Sequence, residues 1–366
     1  MAIDAARAVA VIGMIIVNVG PRSGEGLADV LHRIPLGRAS LLFVLLAGIG
    51  ISLLTRGARR PGCSLRSGTL LWRAGLLLVS GLALQLLDHG VSVILPTYAL
   101  LFLIALPLVR ATERLLAILT VVLLALGPLV WIAVQMLQGV SYTVETPTLV
   151  DPPLSILHSV LLSSPYPVIT WVGPFVLGMW LGRQDLSDRA LQVRMIAAGA
   201  IATVGGRAVS LVLVALLGEP AREVGFDRLV TSVAHSQMPL WLLSGTGSAA
   251  LVLGLLLRAG GFVDRWLWPL VATGQLALTI YVAHLLVLDL VVRPEPQVLI
   301  EGVLISMALC AGAVVFATVW RRHFDRGPLE VLLRAPRLKG AGLHDRRSTA
   351  WHPRVSPRPR RAQLTK

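Results

Sequence analysis

The sequence predicts an all-α, polytopic transmembrane helix bundle of about ten spans, ten or eleven, with both termini in the cytoplasm. Three observations carry that prediction. Of the 366 residues, 55% are hydrophobic and only 14% are charged, where a soluble domain carries about 25% charged residues. The apolar residues gather into runs close to the ~20 residues that cross a hydrocarbon core. The basic residues sort by side, as positive-inside topology requires. No polar block is long enough to form a second, soluble domain.

The runs lie near 5–20, 39–55, 69–87, 91–109, 115–137, 167–182, 191–217, 236–257, 266–292 and 297–319. Residues 153–164 add a re-entrant or interfacial helix as an eleventh element. With the N-terminus inside, the cytoplasmic segments hold Arg7, the cluster Arg56, Arg59, Arg60, Arg66 and Arg73, then Arg110 and Arg114. Arg183, Arg189 and Arg194 follow, then Arg258 and Arg265, then thirteen Lys+Arg after Trp320. The exoplasmic segments hold Arg22, Arg33, Arg38, Arg222, Arg228 and Arg293, and the long loop 138–166 holds none. Residues 1–320 are thus expected to form the membrane domain and 321–334 an amphipathic juxtamembrane segment. Residues 335–366 are expected to form a basic, Pro/Arg-rich disordered tail.

The formal net charge of +14 invites a nucleic-acid partner, but the placement of the arginines fits an anionic leaflet instead. Two cysteines, Cys63 in a loop and Cys310 in an apolar run, support neither a disulfide framework nor a metal-thiolate site. The acid-containing start Met1-Ala-Ile-Asp4 and the missing cleavage site predict no cleavable signal peptide. The abrupt first run leads us to expect native residues ahead of it.

Ionisable groups at membrane depth are costly and are therefore candidates for function. Asp4 and Arg7, three residues apart at the inner mouth of the first span, share a helix face and form a pair. Asn18 at the other end of that span either orients a substrate or caps. Arg207, inside the seventh run, is expected to pair with Asp289 or Glu301, with binding of an anionic substrate group as the alternative. His235 and His284 are candidate general bases, each also readable as a packed, hydrogen-bonded histidine. Tyr281 shares a helix face with His284. His32 is a weaker candidate, and His89 and His158 are weaker still. His323, His344 and His352 fall in the tail region. No Walker loop, Rossmann fingerprint, metalloprotease helix or nucleophile elbow occurs. Gly48, Gly50, Gly245 and Gly247 permit close helix packing.

Several stretches together resemble one family. Ile3-Asp-Ala-Ala-Arg7, followed by Asn18, resembles the opening D-x-x-R-G-x-A motif of YeiB-like membrane proteins. These are relatives of the heparan-α-glucosaminide N-acetyltransferase catalytic domain. Similar motifs follow in order at Gly37-Arg-Ala-Ser40, Ile94-Leu-Pro-Thr-Tyr98, Phe175 to Arg183, His235-Ser236 with Gly247, Gly274 to Tyr281, and Gly327-Pro-Leu-Glu330. Ala8 stands where the family usually has Gly. The resemblance implies a CoA-dependent membrane acyltransferase of a bacterial-type plasma membrane. Acetyl-CoA or another acyl-CoA would be the cytoplasmic co-substrate, with no metal. The acceptor would be a hydroxyl or amine on an exoplasmic small molecule or lipid-linked glycan. It implies His235, His284 or His32 as the catalytic base, and Asp4, Arg7, Asn18, Arg38, Arg207 and Tyr281 as binding residues. The expected partners are the lipid bilayer, the acceptor and a second copy of the chain in a homodimer. The alternatives are a transporter or flippase for a lipid-linked or amphipathic molecule, and a non-catalytic membrane protein.

Overall fold

The described residues of the computed structural model are 1–21, 26–60, 62–65, 67–138, 146–221 and 223–334. The expected tail 335–366, with His344 and His352, lies outside them, as do Arg22, Arg66 and Arg222. Helices account for the regular structure among the described residues. They are α1 (Ala2–Val19), α2 (Leu27–His32), α3 (Arg38–Leu54), α4 (Ser67–Leu84), α5 (Leu95–Leu108) and α6 (Glu113–Gln138). There follow α7 (Pro153–His158), α8 (Val168–Leu181), α9 (Arg189–Leu217), α10 (Pro239–Arg258) and α11 (Gly260–Trp266). The last four are α12 (Trp268–Gln275), α13 (Ala277–Val287), α14 (Leu299–His323) and α15 (Pro328–Leu332).

Six of these, α1, α4, α6, α9, α10 and α14, are long and apolar enough to cross a membrane, and the count reaches eight if each of two bent pairs is one span. Helices α3 and α5 are shorter and apolar, about 26 Å and 21 Å long at 1.5 Å per residue against a core of about 30 Å. The chain is a multi-pass helical membrane protein.

Helix α1 sits at the centre, packed against α3, α10, α12 and α14. Its Ala5, Ala6, Ala8 and Ala10 are fully buried, so four small side chains let four neighbours approach one axis. The approach to α12 is closest at Gly274, where any Cβ would overlap the Asp4 carbonyl. Helices α3 and α8 meet through Gly48 and Gly178, each lying against the other helix's backbone. This is the small-residue packing that substitutes for a hydrophobic driving force in lipid. Outward, Ile201, Val204 and Leu216 of α9 and Leu304, Met307 and Val315 of α14 are exposed apolar side chains, as a lipid-facing belt requires.

Two segments differ from a simple span. Residues 153–163 and α8 form a pair bent by 67°, the extra element expected at 153–164. The run 266–292, expected as one span, is instead two helices bent by 78° at Leu276. The cause is a carboxylate. Glu330, on α15, accepts the backbone N–H groups of Leu278 at 2.9 Å and Thr279 at 3.0 Å, and the Thr279 hydroxyl at 2.6 Å. These N–H groups open α13 and have no helical partner behind the break, so the anion both satisfies them and complements the positive helix end. The indole of Trp72 and the guanidinium of Arg73 donate to the Leu332 and Leu333 carbonyls, fixing α15 against α4.

Gly178→Val is expected to lower stability by at least ~1–3 kcal/mol, the cost of overpacking, read as a lower midpoint of thermal unfolding in detergent. Gly205→Val, at a glycine with open space around it, serves as the control and should leave the midpoint nearly unchanged. Equal shifts would contradict the α3–α8 packing.

Candidate functional site

Two of the cavities in the bundle are lined by expected site residues at opposite ends of α1, one by Arg7 and one by Asn18. The larger, of about 440 Å³, is lined mostly by apolar side chains of α3, α4, α5 and α13, with Arg7, Arg73, Gln275 and Glu330 among its polar groups. Its inner wall includes Tyr98 and Tyr281. Arg7 bonds Asp4 at 2.8 Å, the pair expected from their spacing, and its guanidinium lies over Gly50. Tyr98 lines this cavity, and its buried hydroxyl has no hydrogen-bond partner among the described residues, which leaves a donor to be satisfied.

The smaller cavity, of about 30 Å³, is lined by Asn18, Gly37, Ile94, Tyr166, His235 and Tyr281 among others. It has room for a water molecule. Tyr281 lines both cavities, so one aromatic side chain forms part of the partition between them. Its hydroxyl accepts the Ile94 backbone N–H at 3.3 Å, which leaves the hydroxyl proton to donate elsewhere.

His235 sits on the loop before α10 in a left-handed conformation, φ 59°, and Gln237 follows with φ 65°. Such angles are uncommon for residues other than glycine and persist where the surroundings impose them. Gln237 supplies the constraint. Its carbonyl oxygen accepts from the Thr170 hydroxyl at 2.9 Å and the Trp171 indole at 3.0 Å. Its amide donates to the Pro165 and His235 carbonyls at 3.0 and 3.2 Å. The His235 ring is packed by Trp171, Trp241 and Tyr166 at centroid distances of 6.1, 5.6 and 5.4 Å. Its Nδ1 lies 3.4 Å from the Pro165 carbonyl, which assigns the proton to Nδ1 and leaves the Nε2 lone pair toward Gly37. Burial lowers the pKa of this imidazole to about 4, with the Pro165 carbonyl offsetting part of the effect, so it is neutral at pH 7.

His284 reaches the smaller cavity through Asn18, whose amide nitrogen is 3.2 Å from Nε2. As placed, that amide donates, so Nε2 of His284 is occupied and this histidine positions Asn18. The Asn18 carbonyl accepts from Arg293 at 2.8 Å, and Arg293 also donates to the His89 carbonyl at 2.6 Å. His89 is fully buried, with its ring bonded to the Leu84 carbonyl and the Val91 N–H, a structural arrangement.

The expected site residues therefore divide. Asn18, His235 and Tyr281 line one cavity and His284 supports it, while Arg7 lines the other with Asp4 behind it. His32 stands apart from both cavity walls, bonded to the Gly20 carbonyl at 3.2 Å. Arg38 donates to the Ser244 carbonyl and hydroxyl at 3.2 and 3.1 Å. Arg207 corrects an expectation: it donates to the Ser232 hydroxyl at 3.2 Å and, among the described residues, pairs with neither Asp289 nor Glu301. Helix α9 packs chiefly on α10, whereas Asp289 follows α13 and Glu301 opens α14. Tyr98, Tyr166, Trp171, Gln237, Trp241, Arg73 and Glu330 were not singled out as site residues by sequence. Tyr98 and Glu330 do lie in motifs that carry the family resemblance.

Comparison with known families gives two matches. Residues 1–213 match the model described as heparan-alpha-glucosaminide N-acetyltransferase, catalytic. Residues 180–337 match one described as a protein of unknown function, DUF418. No curated protein matches the chain.

The depressed His235 pKa has a consequence for stability. Its folded value lies below the ordinary 6.5, so its contribution is present above that pH and is lost as pH falls toward 4, where the unfolded chain binds the proton first. Thermal midpoints measured from pH 7 to 4 should fall less steeply in His235→Gln than in the wild type. Identical slopes would contradict a buried neutral imidazole.

Proposed function

The chain belongs to the YeiB-like family related to the heparan-α-glucosaminide N-acetyltransferase catalytic domain, and on that premise we propose that it is a transmembrane acyltransferase. It moves an acyl group, acetyl in the first instance, from acyl-CoA in the cytoplasm to a hydroxyl or amine of an exoplasmic sugar or lipid-linked acceptor. The single observation that carries the proposal is the pair of cavities sharing Tyr281. On this reading the Arg7 end faces the cytoplasm of a bacterial-type plasma membrane, an orientation its basic loops support, and the crossings number ten when each bent pair is one span and α3 and α5 are included.

In this mechanism Arg7 and Arg73 attract the CoA phosphates at the mouth of the larger cavity. The acyl-pantetheine arm lies along its apolar wall, with the Tyr98 hydroxyl available to a polar atom of that arm. The thioester carbonyl then meets Tyr281. From the other side, the acceptor displaces the contents of the smaller cavity. His235 Nε2 takes the proton from the acceptor O–H or N–H as the acceptor attacks the carbonyl carbon. The oxyanion formed is held by the Tyr281 hydroxyl and the Asn18 amide in a site shut off from water. Collapse breaks the C–S bond, and the CoA thiolate leaves toward the cytoplasm. The proton then on His235 returns to solvent, with the imidazolium stabilised meanwhile by the Trp171 and Trp241 rings.

A transporter for an amphipathic molecule is the competing function, favoured by the broken α12–α13 segment beside a cavity, as in discontinuous transporter helices. Uptake into vesicles without acyl-CoA would select it.

Purified protein should show a saturable thermal shift with acetyl-CoA that ATP does not reproduce, weakened by Arg7→Ala. In membranes supplied with labelled acetyl-CoA, His235→Ala should reduce label transfer by about 10²-fold or more. His32→Ala should leave transfer near wild type. Full transfer in His235→Ala and His284→Ala alike would exclude this mechanism.

A further inference from the structure

The groove beside the smaller cavity names a class of acceptor. It has a volume of about 380 Å³ and runs between α1, α3 and α10, lined by Val9, Ile12, Ile16, Leu42 and Val252, with Arg38 as its charged residue. Helix α1 passes from Val9 to Ile16 toward the Asn18 end, and α3 begins there with Arg38. The guanidinium therefore marks the Asn18 end of an apolar channel.

Arg38 spends two N–H donors on Ser244, out of the five that a guanidinium carries. The charge that acts on it is another cation, Arg207. Among the described residues neither arginine is paired with a carboxylate. Arg38 without a counter-charge at membrane depth is costly, Arg207 is a second, exposed cation acting on it, and an anion held by the two lowers that cost. Guanidinium forks suit phosphate oxygens. An inorganic phosphate would leave the apolar channel unused, and an uncharged lipid would leave the arginines unused.

We infer that this groove binds a lipid carrying a phosphate, its chain along α1 and its phosphate on Arg38 and Arg207. The acyl acceptor is then a hydroxyl- or amine-bearing head joined to the lipid through that phosphate. This last step rests on the transferase assignment. The groove and the smaller cavity are lined by successive residues of the chain, Arg38 and Gly37. Gly37, immediately before Arg38, lines the smaller cavity, and a Cβ on it would press on both Trp241 and His235.

The test uses delipidated full-length protein and native mass spectrometry with hexadecyl phosphate, hexadecanol and inorganic phosphate. Hexadecyl phosphate should bind saturably with one copy per chain, and the two controls should not. Arg38→Gln and the groove-filling Ser248→Phe should each weaken binding at least tenfold, while Arg38→Lys keeps most of it. Acetyl-CoA binding in the same samples reports folding and tests the transferase assignment separately. If Arg38→Gln does not fold, Arg207→Gln carries the same expectation. Equal binding of hexadecanol or inorganic phosphate, or hexadecyl phosphate binding unchanged in the folded variants, overturns the inference. Hexadecyl phosphate bound without any acetyl-CoA binding would sink the transferase and leave the lipid site standing.

Discussion

A single carboxylate, Glu330, holds the arrangement on which the two cavities depend. Backbone N–H groups inside a membrane bundle must be satisfied by the protein, since lipid offers no partner. At Leu276 the helix stops and restarts, and Glu330 accepts the first amides of α13. The restart fixes where Tyr281 and His284 stand, one helical turn apart on one face. Tyr281 then separates the cavities, and His284 holds Asn18 against the smaller one. Because α15 is itself tied to α4 through Trp72 and Arg73, the partition is anchored to a helix whose Arg73 lines the larger cavity.

The opposite wall is built on a different principle. His235 is presented by a loop whose backbone is held in left-handed geometry by Gln237, and its half-buried ring is packed against three aromatic side chains. The burial that lowers its basicity also keeps it neutral, with the lone pair toward the cavity. The two walls thus bring a neutral base from a loop and a hydroxyl donor from α13 to the same small space.

Much of this was legible in the chain. The membrane class followed from the apolar runs, and the Asp4–Arg7 pair followed from helical spacing. His284, Asn18 and Tyr281 stood out because polar groups at membrane depth are rare, and His235, at the edge of an exoplasmic loop, because histidine is the usual general base near neutral pH. The break at Leu276 was not legible, because Ala277 to Val292 continues the apolar run and the residue that causes the break is 52 positions from Leu278. Arg207 was misassigned for a related reason: depth matched it to Asp289 and Glu301, but depth does not say which helices touch. Tyr166, Trp171, Gln237 and Trp241 have no shared spacing, and only the tertiary fold gathers them around His235. His32 is near the correct end of the bundle by sequence, yet its ring is engaged by Gly20.

The central claim is that an acyl thioester from one side meets the base on the other at Tyr281. A cryo-electron-microscopy map with an unreactive thioether analogue of acetyl-CoA tests it most directly. The account predicts the adenosine phosphates near Arg7 and Arg73, and the acyl carbonyl within hydrogen-bond reach of the Tyr281 hydroxyl. Analogue bound at the Asn18 end, or with its acyl group outside the larger cavity, would contradict it.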